Sequence, residues 1–498
     1  MPHSALSRAA ATAVSLVALV GATLAAPNAL AADSGDRKAA TQSSSKKAGA
    51  ALDRATTALS GKGGDATMAL RDLWLQRDNL SATDRASYAK LAERPVKTNT
   101  LDLGNIRVHY TPAEMAASSF TANDVLNTSV SVAQAYAGAG YRVPLPDGTL
   151  GGSPATDIYV DTLPQGLYGY CTTDQKQQTG PGRFDVWAYC VVDNDYAGFP
   201  TNTPLENLQV TVAHEYFHAT QFAYDIGDDG WAMEATAAWV EDEMYDDVDD
   251  NVQYLADSPI TDRKRSIDKF GGLFHYGVWI YFRYLTEKFP AETGGLPTII
   301  RQFWEAADSS KGAKKDKYFT QGMAQVLKKK PYKTSVDKEF ALFSAVNQRA
   351  PFYYAEGQAN GYPVAKVNGT KGLNKGQAKS FSARLDHLSA AAYRFAPKGN
   401  AKKLKVAVAG APKAQGTRAV VTTYLLNGKV KTKYVTINAK GRGAFTAGFK
   451  KSKVAFVDVT LVNASVRFAD CYKRQTPFSC SGKPLDQKRG ISVLGKAV

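Results

Sequence analysis

Between residues 204 and 224 apolar side chains recur with a helical period, and the segment carries its own start signal. Thr203 stands at the N-cap, Pro204 at the first helical position, and Glu206 closes a capping box. Further helical patterns cover residues 231–245, 272–289, 296–306 and 336–349. Upstream the period shortens to two. Residues 105–110 (NIRVHY), 157–161 (DIYVD) and 184–192 (FDVWAYCVV) read as strands. They flank a helix over 121–137, capped by Thr121 or Asn123 and ended by Gly138. After Pro351 the character changes to short β-rich runs, with Asn427-Gly428 as a hairpin signal between two of them. The pattern predicts an α+β central domain over 100–360, followed by a β-sandwich over 361–498.

The first hundred residues read differently. His3 and Arg8 precede an apolar, alanine-rich run from Ala9 to Ala26, and Ala29-Leu30-Ala31 offers small residues beyond Pro27. Residues 1–32 are expected to be a secretory signal peptide. No later stretch is apolar enough to span a bilayer, so the mature chain is expected to be exported without a transmembrane span. Residues 33 to about 62 are rich in Ala, Ser, Lys and Gly without an apolar period. They read as a flexible linker or the start of a pro-segment. Two short helical patterns follow, one with Met68, Leu70, Leu73 and Leu75, the other starting near Ser81 or Thr83 and ending at Pro95. The 33–99 stretch is thus a linker or helical pro-region, or else a packed start of the central domain.

Cysteine usage agrees with export. Cys171 and Cys190 are 19 apart, Cys471 and Cys480 are 9 apart, and no CxxC knuckle is present. Two local disulfides, Cys171–Cys190 and Cys471–Cys480, are the expected pairing. The charge is uneven. Residues 361–498 hold 27 Lys+Arg against 4 Asp+Glu, a balance of +23, and the remainder holds 34 against 42, a balance of −8. A basic tail domain on an acidic body suggests attachment to an anionic cell-wall or surface polymer; a merely solubilised β-domain is the plainer alternative. Nucleic acid is not expected as a partner.

The chemistry concentrates on the helix over 204–224, which carries His214-Glu215-Tyr216-Phe217-His218. Positions 214 and 218 are four apart, so both imidazoles leave one face of the helix and can bind one Zn²⁺. Glu215 can reach a zinc-bound water, whose pKa the metal lowers towards about 7. A third ligand is required. Gln221 and Tyr224 stand where the metzincin pattern needs Gly and His, so that pattern fails. The next helical pattern offers Glu234, with Glu241 seven residues on as the fallback. Gly227 and Gly230 allow the turn between the two helices.

With these residues in place the sequence resembles the gluzincin zinc peptidases, the group of thermolysin and the aminopeptidase N type. The resemblance covers about residues 204–245 and extends less firmly to 289. It implies a zincin-like fold, His214, His218 and Glu234 as zinc ligands, and Glu215 as the catalytic base. The layout is also similar to a poorly characterised group of secreted bacterial proteins classed as metalloproteases. In thermolysin-like enzymes an acid one turn after the ligand Glu orients a zinc-bound His; that position here is Ala238. The aminopeptidase segment that supplies a tyrosine donor to the transition state has Phe274 at the matching place, leaving the adjacent His275 and Tyr276 as the candidates. In such peptidases an edge strand before the motif helix pairs with substrate, and residues 186–192 are the candidate.

Eleven acids lie between Asp225 and Asp250 with no Lys or Arg among them. Calcium through Asp225, Asp228 and Asp229, or through the run from Asp242 to Asp250, is a possible second metal. The expected function is a secreted zinc peptidase acting on peptide or protein. The alternative is a catalytically silent exported protein that works through its basic β-domain. No GxSxG elbow, Walker A or GxGxxG signature is present, which disfavours a serine hydrolase or a nucleotide-binding enzyme.

Overall fold

Three helices open the chain: α1 (Asp33–Leu59), α2 (Ala66–Gln76) and α3 (Ala82–Leu91). The structure is a computed structural model that describes residues 33–199, 201–312 and 316–498, with side chains from residue 43. The signal peptide expected over residues 1–32 lies outside the described residues. The flexible linker expected from residue 33 to about 62 is corrected, because most of that stretch is α1. Its apolar stripe is made of small residues and so escapes a search for large ones. Ala48, Ala51, Leu52 and Ala55 recur at helical spacing and pack on Leu70 and Leu73 of α2 and on Leu80. α2 turns its other side inward, where Met68 and Trp74 join the main core. The Trp74 indole donates to the Gln175 carbonyl at 2.7 Å and Arg71 Nε to the Ile226 carbonyl at 2.7 Å. Residues 65–93 are largely helical, and α2 within them packs into the main core.

A mixed five-stranded sheet follows, from β1 (Asn99–Leu103), β2 (Ile106–Tyr110), β3 (Thr156–Asp161), β4 (Gly169–Thr172) and β5 (Tyr189–Asp193). Between β2 and β3 lie the short α4 (Pro112–Ala117) and α5 (Ala122–Gly138), the latter capped by Thr121. The sheet order is β1-β2-β3-β5-β4. The strand expected over 184–192 is shorter, and β5 is not an edge. It pairs with β3 on one side and β4 on the other and is buried throughout. The free edge beside the motif helix belongs to β4. The Cys171–Cys190 disulfide joins β4 to β5 at directly opposed positions.

The helical block comprises α6 (Pro204–Asp225), α7 (Gly230–Met244), α8 (Phe274–Gly277), α9 (Trp279–Lys288), α10 (Thr298–Ala306), α11 (Phe319–Lys328), α12 (Val336–Val346) and α13 (Ala350–Tyr353). A two-residue hairpin, β6 (Glu292–Thr293) and β7 (Leu296–Pro297), precedes α10. The capping box of Thr203 and Glu206 forms as expected at the head of α6. α6 and α7 pack together and both are buried on nearly every face. The single helix expected over 272–289 is broken into α8 and α9. At the break Gly277 lets a neighbouring segment come close: a side chain there would strike the carbonyls of Tyr254 and Asp257.

The C-terminal region runs through β8 (Gly369–Leu373), β9 (Ala378–Leu385), β10 (Ser389–Pro397), β11 (Lys403–Ala409), β12 (Thr417–Leu425), β13 (Val430–Tyr434), β14 (Arg442–Gly448), β15 (Val454–Asn463), β16 (Phe468–Ala469), β17 (Lys483–Pro484) and β18 (Arg489–Ala497). Two sheets, β13-β12-β15-β10-β8 and β14-β11-β18-β9, share a core that includes Val406, Val408, Val457, Val459 and Val493. The outer side of the five-stranded sheet packs against α12, and its Val420 and Val462 join the main core. The boundary is tied further. His387 Nε2 lies 2.7 Å from Asp268, and the loop of the Cys471–Cys480 disulfide docks on the start of α7, where Ser479 accepts from the Trp231 indole at 3.1 Å. The chain is therefore α+β with a β-rich C-terminal part. Among the described residues no helix is long and apolar enough to cross a membrane.

Candidate metal centre

α6 sets two imidazoles on one face, and α7 crosses it so that a carboxylate meets both. His214, His218 and Glu234 are buried and bring one ligand atom each to within 4.8 Å of one another. Glu234 lies between the rings, with one oxygen 3.2 Å from His214 Nε2 and the other 3.3 Å from His218 Nε2. The outward nitrogens are held from behind. His214 Nδ1 lies 2.5 Å from Glu241 Oε1, and His218 Nδ1 lies 2.7 Å from Gln221 Oε1. Gln221 is itself fixed, since its amide donates to the Met233 carbonyl at 2.9 Å and to Thr236 at 3.1 Å. Both rings thus present Nδ1 to an acceptor behind them and turn Nε2 inward.

These residues fit a zinc ion. His218 Nε2 and Glu234 Oε1 are buried without a hydrogen-bond partner, although they face each other. Two neutral imidazole nitrogens and one carboxylate form the three-ligand set of a catalytic zinc site, with each His oriented by an acceptor behind it. Electrostatics agree. Burial pushes the Glu234 carboxyl up, but His218 and His214 outweigh it and hold it well below the usual range. Burial would lower the His214 imidazole, yet Glu234 and Glu241 hold it well above its ordinary value. The cluster favours a positive charge at its centre.

Glu241 is placed as the residue behind His214, so the fallback third ligand acquires a different role. It stands two turns after Glu234 on the same face of α7, three residues past the Ala238 position.

Glu215 points into the same cleft. Burial raises its carboxyl, with His218 and His214 opposing. Gly169 of β4 makes room for it: a side chain there would lie 3.2 Å from Glu215 Cγ and 2.8 Å from the Val191 carbonyl. The Thr67 hydroxyl donates to Glu215 Oε2 at 3.2 Å and accepts from the Cys171 amide at 3.0 Å. The first turn of α2 is therefore part of the site, as sequence reading missed. Thr67 and Glu215 are 148 residues apart, and no local pattern connects them.

Asp65 is the second contribution of α2. It caps that helix through Met68 N at 2.8 Å and accepts from the Tyr276 hydroxyl at 3.0 Å. His275 Nδ1 accepts from the Gly271 amide at 3.1 Å, so its proton sits on Nε2, 3.5 Å from Asp65. Both expected donors, His275 and Tyr276, thus lie at the cleft, with Tyr276 6.0 Å from His214 between ring centres. Burial and the carboxylates of Asp65 and Glu234 raise the Tyr276 phenol well above its ordinary value, keeping it protonated. The cleft that unites these groups encloses about 740 Å³.

The acidic run offers calcium less. Asp225, Asp228 and Asp229 are buried, but they spend oxygens on the amides of Gly227, Phe319 and Cys480. They do not form a convergent trio among the described residues. Asp242, Asp246 and Glu356 do converge, yet Arg283 already pairs with Asp242 and Glu356.

No protein-family model matches this chain, and no curated protein does. Two solved structures show the level of likeness found. The pre-peptidase C-terminal domain of a collagenase from Bacillus anthracis is 11% identical, with 26% of this chain and 94% of that chain covered and a TM-score of 0.16. A surface-associated copper-binding protein of Methylomicrobium album BG8 is 11% identical, with 26% and 98% covered and a TM-score of 0.15. Likeness this slight carries no argument about fold or function.

Proposed function

We propose that the chain is an exported zinc peptidase of zincin-like fold, with His214, His218 and Glu234 holding the metal. The observation that carries the reading is the convergence of those three ligands beside a buried carboxylate, Glu215. Bound zinc would supply Lewis acidity to a peptide carbonyl and to water. Every other part falls to the chain. Glu215, raised by burial, accepts a proton from water and passes it to the departing amine nitrogen. Tyr276 and His275 donate to the carbonyl oxygen as charge develops there, Tyr276 by rotating its hydroxyl away from Asp65. Glu241 and Gln221 hold the ligand rings. The segment Leu167–Gly169, which leads into β4 and lines the cleft, is the place for an extended peptide backbone.

Two disulfides support action outside the cell. A peptide or protein is the substrate, and an anionic surface polymer is the partner of the basic β-domain. The test is Glu215→Gln on purified protein. Hydrolysis of a denatured protein substrate is expected to fall by about 10² or more while one zinc per chain is retained. Unchanged hydrolysis in that variant contradicts the mechanism.

A further inference from the structure

The four-stranded sheet of the C-terminal region has a face that no described element of the chain covers. Its inner side fills the shared core, and the five-stranded sheet on the far side of that core packs on α12. The outer side of β14-β11-β18-β9 therefore points away from the catalytic body. The strand registers define what it carries. Lys405 of β11 stands directly opposite Lys496 of β18 and Thr446 of β14, and Lys403 follows two residues along. Lys402, Lys450 and Lys451 rim a hollow of about 510 Å³ at the same end. Arg442 and Arg384 lie at the other end of the face. Between them stand small side chains, among them Ala407, Ala444, Ser380 and Ser492, so the surface is flat.

The distribution of counter-charges is one-sided. All twenty lysines of residues 361–498 are exposed, and among the described residues none is in an ion pair. Three of the region's four acids pair with arginines, Asp458 with Arg394, Asp470 with Arg474, Asp486 with Arg467 and Arg489, and the fourth, Asp386, accepts from the Lys488 amide. Like charges directly opposed across a strand pair destabilise it. Lys405 and Lys496 are such a pair, and an anion lying between them removes the repulsion.

We infer that this face binds a linear anionic polymer of the cell wall, one carrying phosphate along its backbone, and so holds the enzyme at the surface. This rests on the attachment reading of the β-domain and not on the zinc chemistry. The lysines, which outnumber the arginines here, act as point charges and suit a polymer read by charge density. The face carries no outward aromatic ring to stack a base, and Leu494 is its one large exposed apolar residue, too little to enter a bilayer. The chemistry therefore favours a wall polymer over single-stranded nucleic acid or membrane.

The full-length chain is titrated with poly(glycerol phosphate), duplex DNA and phosphatidylglycerol vesicles at low salt. Binding to poly(glycerol phosphate) is expected, weakening steeply with added salt. The triple variant Lys403→Glu, Lys405→Glu, Lys496→Glu is expected to lose about tenfold or more. Lys429→Glu, Lys431→Glu, Lys433→Glu makes the same change in net charge at the β13 hairpin and is expected to bind as the parent does. All six positions are exposed, and melting temperature confirms folding of both variants. Equal loss in both triples, no binding by the parent, or tighter binding to DNA or vesicles overturns the assignment. None of these readouts involves peptide hydrolysis, so the outcome is separable from the zinc reading.

Discussion

Replacing Glu241 by alanine separates a ligand from a residue that holds a ligand. In the structure Glu241 Oε1 sits 2.5 Å from His214 Nδ1, on the side of the ring away from Glu234. Its loss leaves a buried Nδ1–H without an acceptor and frees the ring to turn. Residues in this position contribute about 10- to 100-fold to metal affinity, or about 1.4 to 2.7 kcal/mol. The assay is competition for zinc against a chromogenic chelator near neutral pH, for the parent, Glu241→Ala and Glu234→Ala. Glu241→Ala is expected to weaken zinc within that range and Glu234→Ala to weaken it far more. If Glu241→Ala costs as much as Glu234→Ala, Glu241 is a ligand and the assignment fails. An unchanged affinity refutes the claim that Glu241 holds His214.

Three further outcomes follow from the packing. Gly169→Ala forces a methyl against Glu215 Cγ and the Val191 carbonyl, so hydrolysis is expected to fall with zinc content unchanged, at about 1–3 kcal/mol of stability; parental activity contradicts the role given to that glycine. Trp74→Ala is expected to cost about 3–5 kcal/mol in denaturant unfolding, because that indole lies in the main core; a cost below about 1 kcal/mol would mean that α2 is only a detachable pro-region. His387 titrates in the tie between the β-domain and the body, where burial lowers its imidazole but Asp268 outweighs this and raises it above 6.5. A raised folded value gives stability that is fully present below about pH 6.5 and is lost as pH rises through the folded value, so the melting gap between the parent and His387→Gln should be widest in acid and close in alkali; a gap that widens with pH is the opposite sign.

What could be read along the chain was local. The head of α6 was legible from Thr203, Pro204 and Glu206, the shared face of His214 and His218 from their four-residue spacing, and the disulfides from short separations. Glu234 meets both rings because two consecutive helices must fold back on each other. Four features were hidden for physical reasons. The stripe of α1 is mostly alanine, so it lacks the large residues that mark an amphipathic helix. Residues 184–192 read as one strand, but only the last part pairs, and it pairs on both sides. The third helix breaks at Gly277 beside the carbonyls of Tyr254 and Asp257, a close approach that no local pattern shows. Asp65 and Thr67 enter the site across distances of 211 and 148 residues, through packing alone. Glu241 had a visible signal, its two-turn spacing from Glu234, which reads equally as ligand or as support until the ring nitrogens are placed.

Crystals grown with zinc and measured at its absorption edge test the central claim most directly. The account predicts one strong anomalous peak about 2.0–2.2 Å from His214 Nε2, His218 Nε2 and the Glu234 carboxylate, with Glu241 beyond His214. A peak bounded instead by Asp242, Asp246 and Glu356, or none between the two helices, contradicts it.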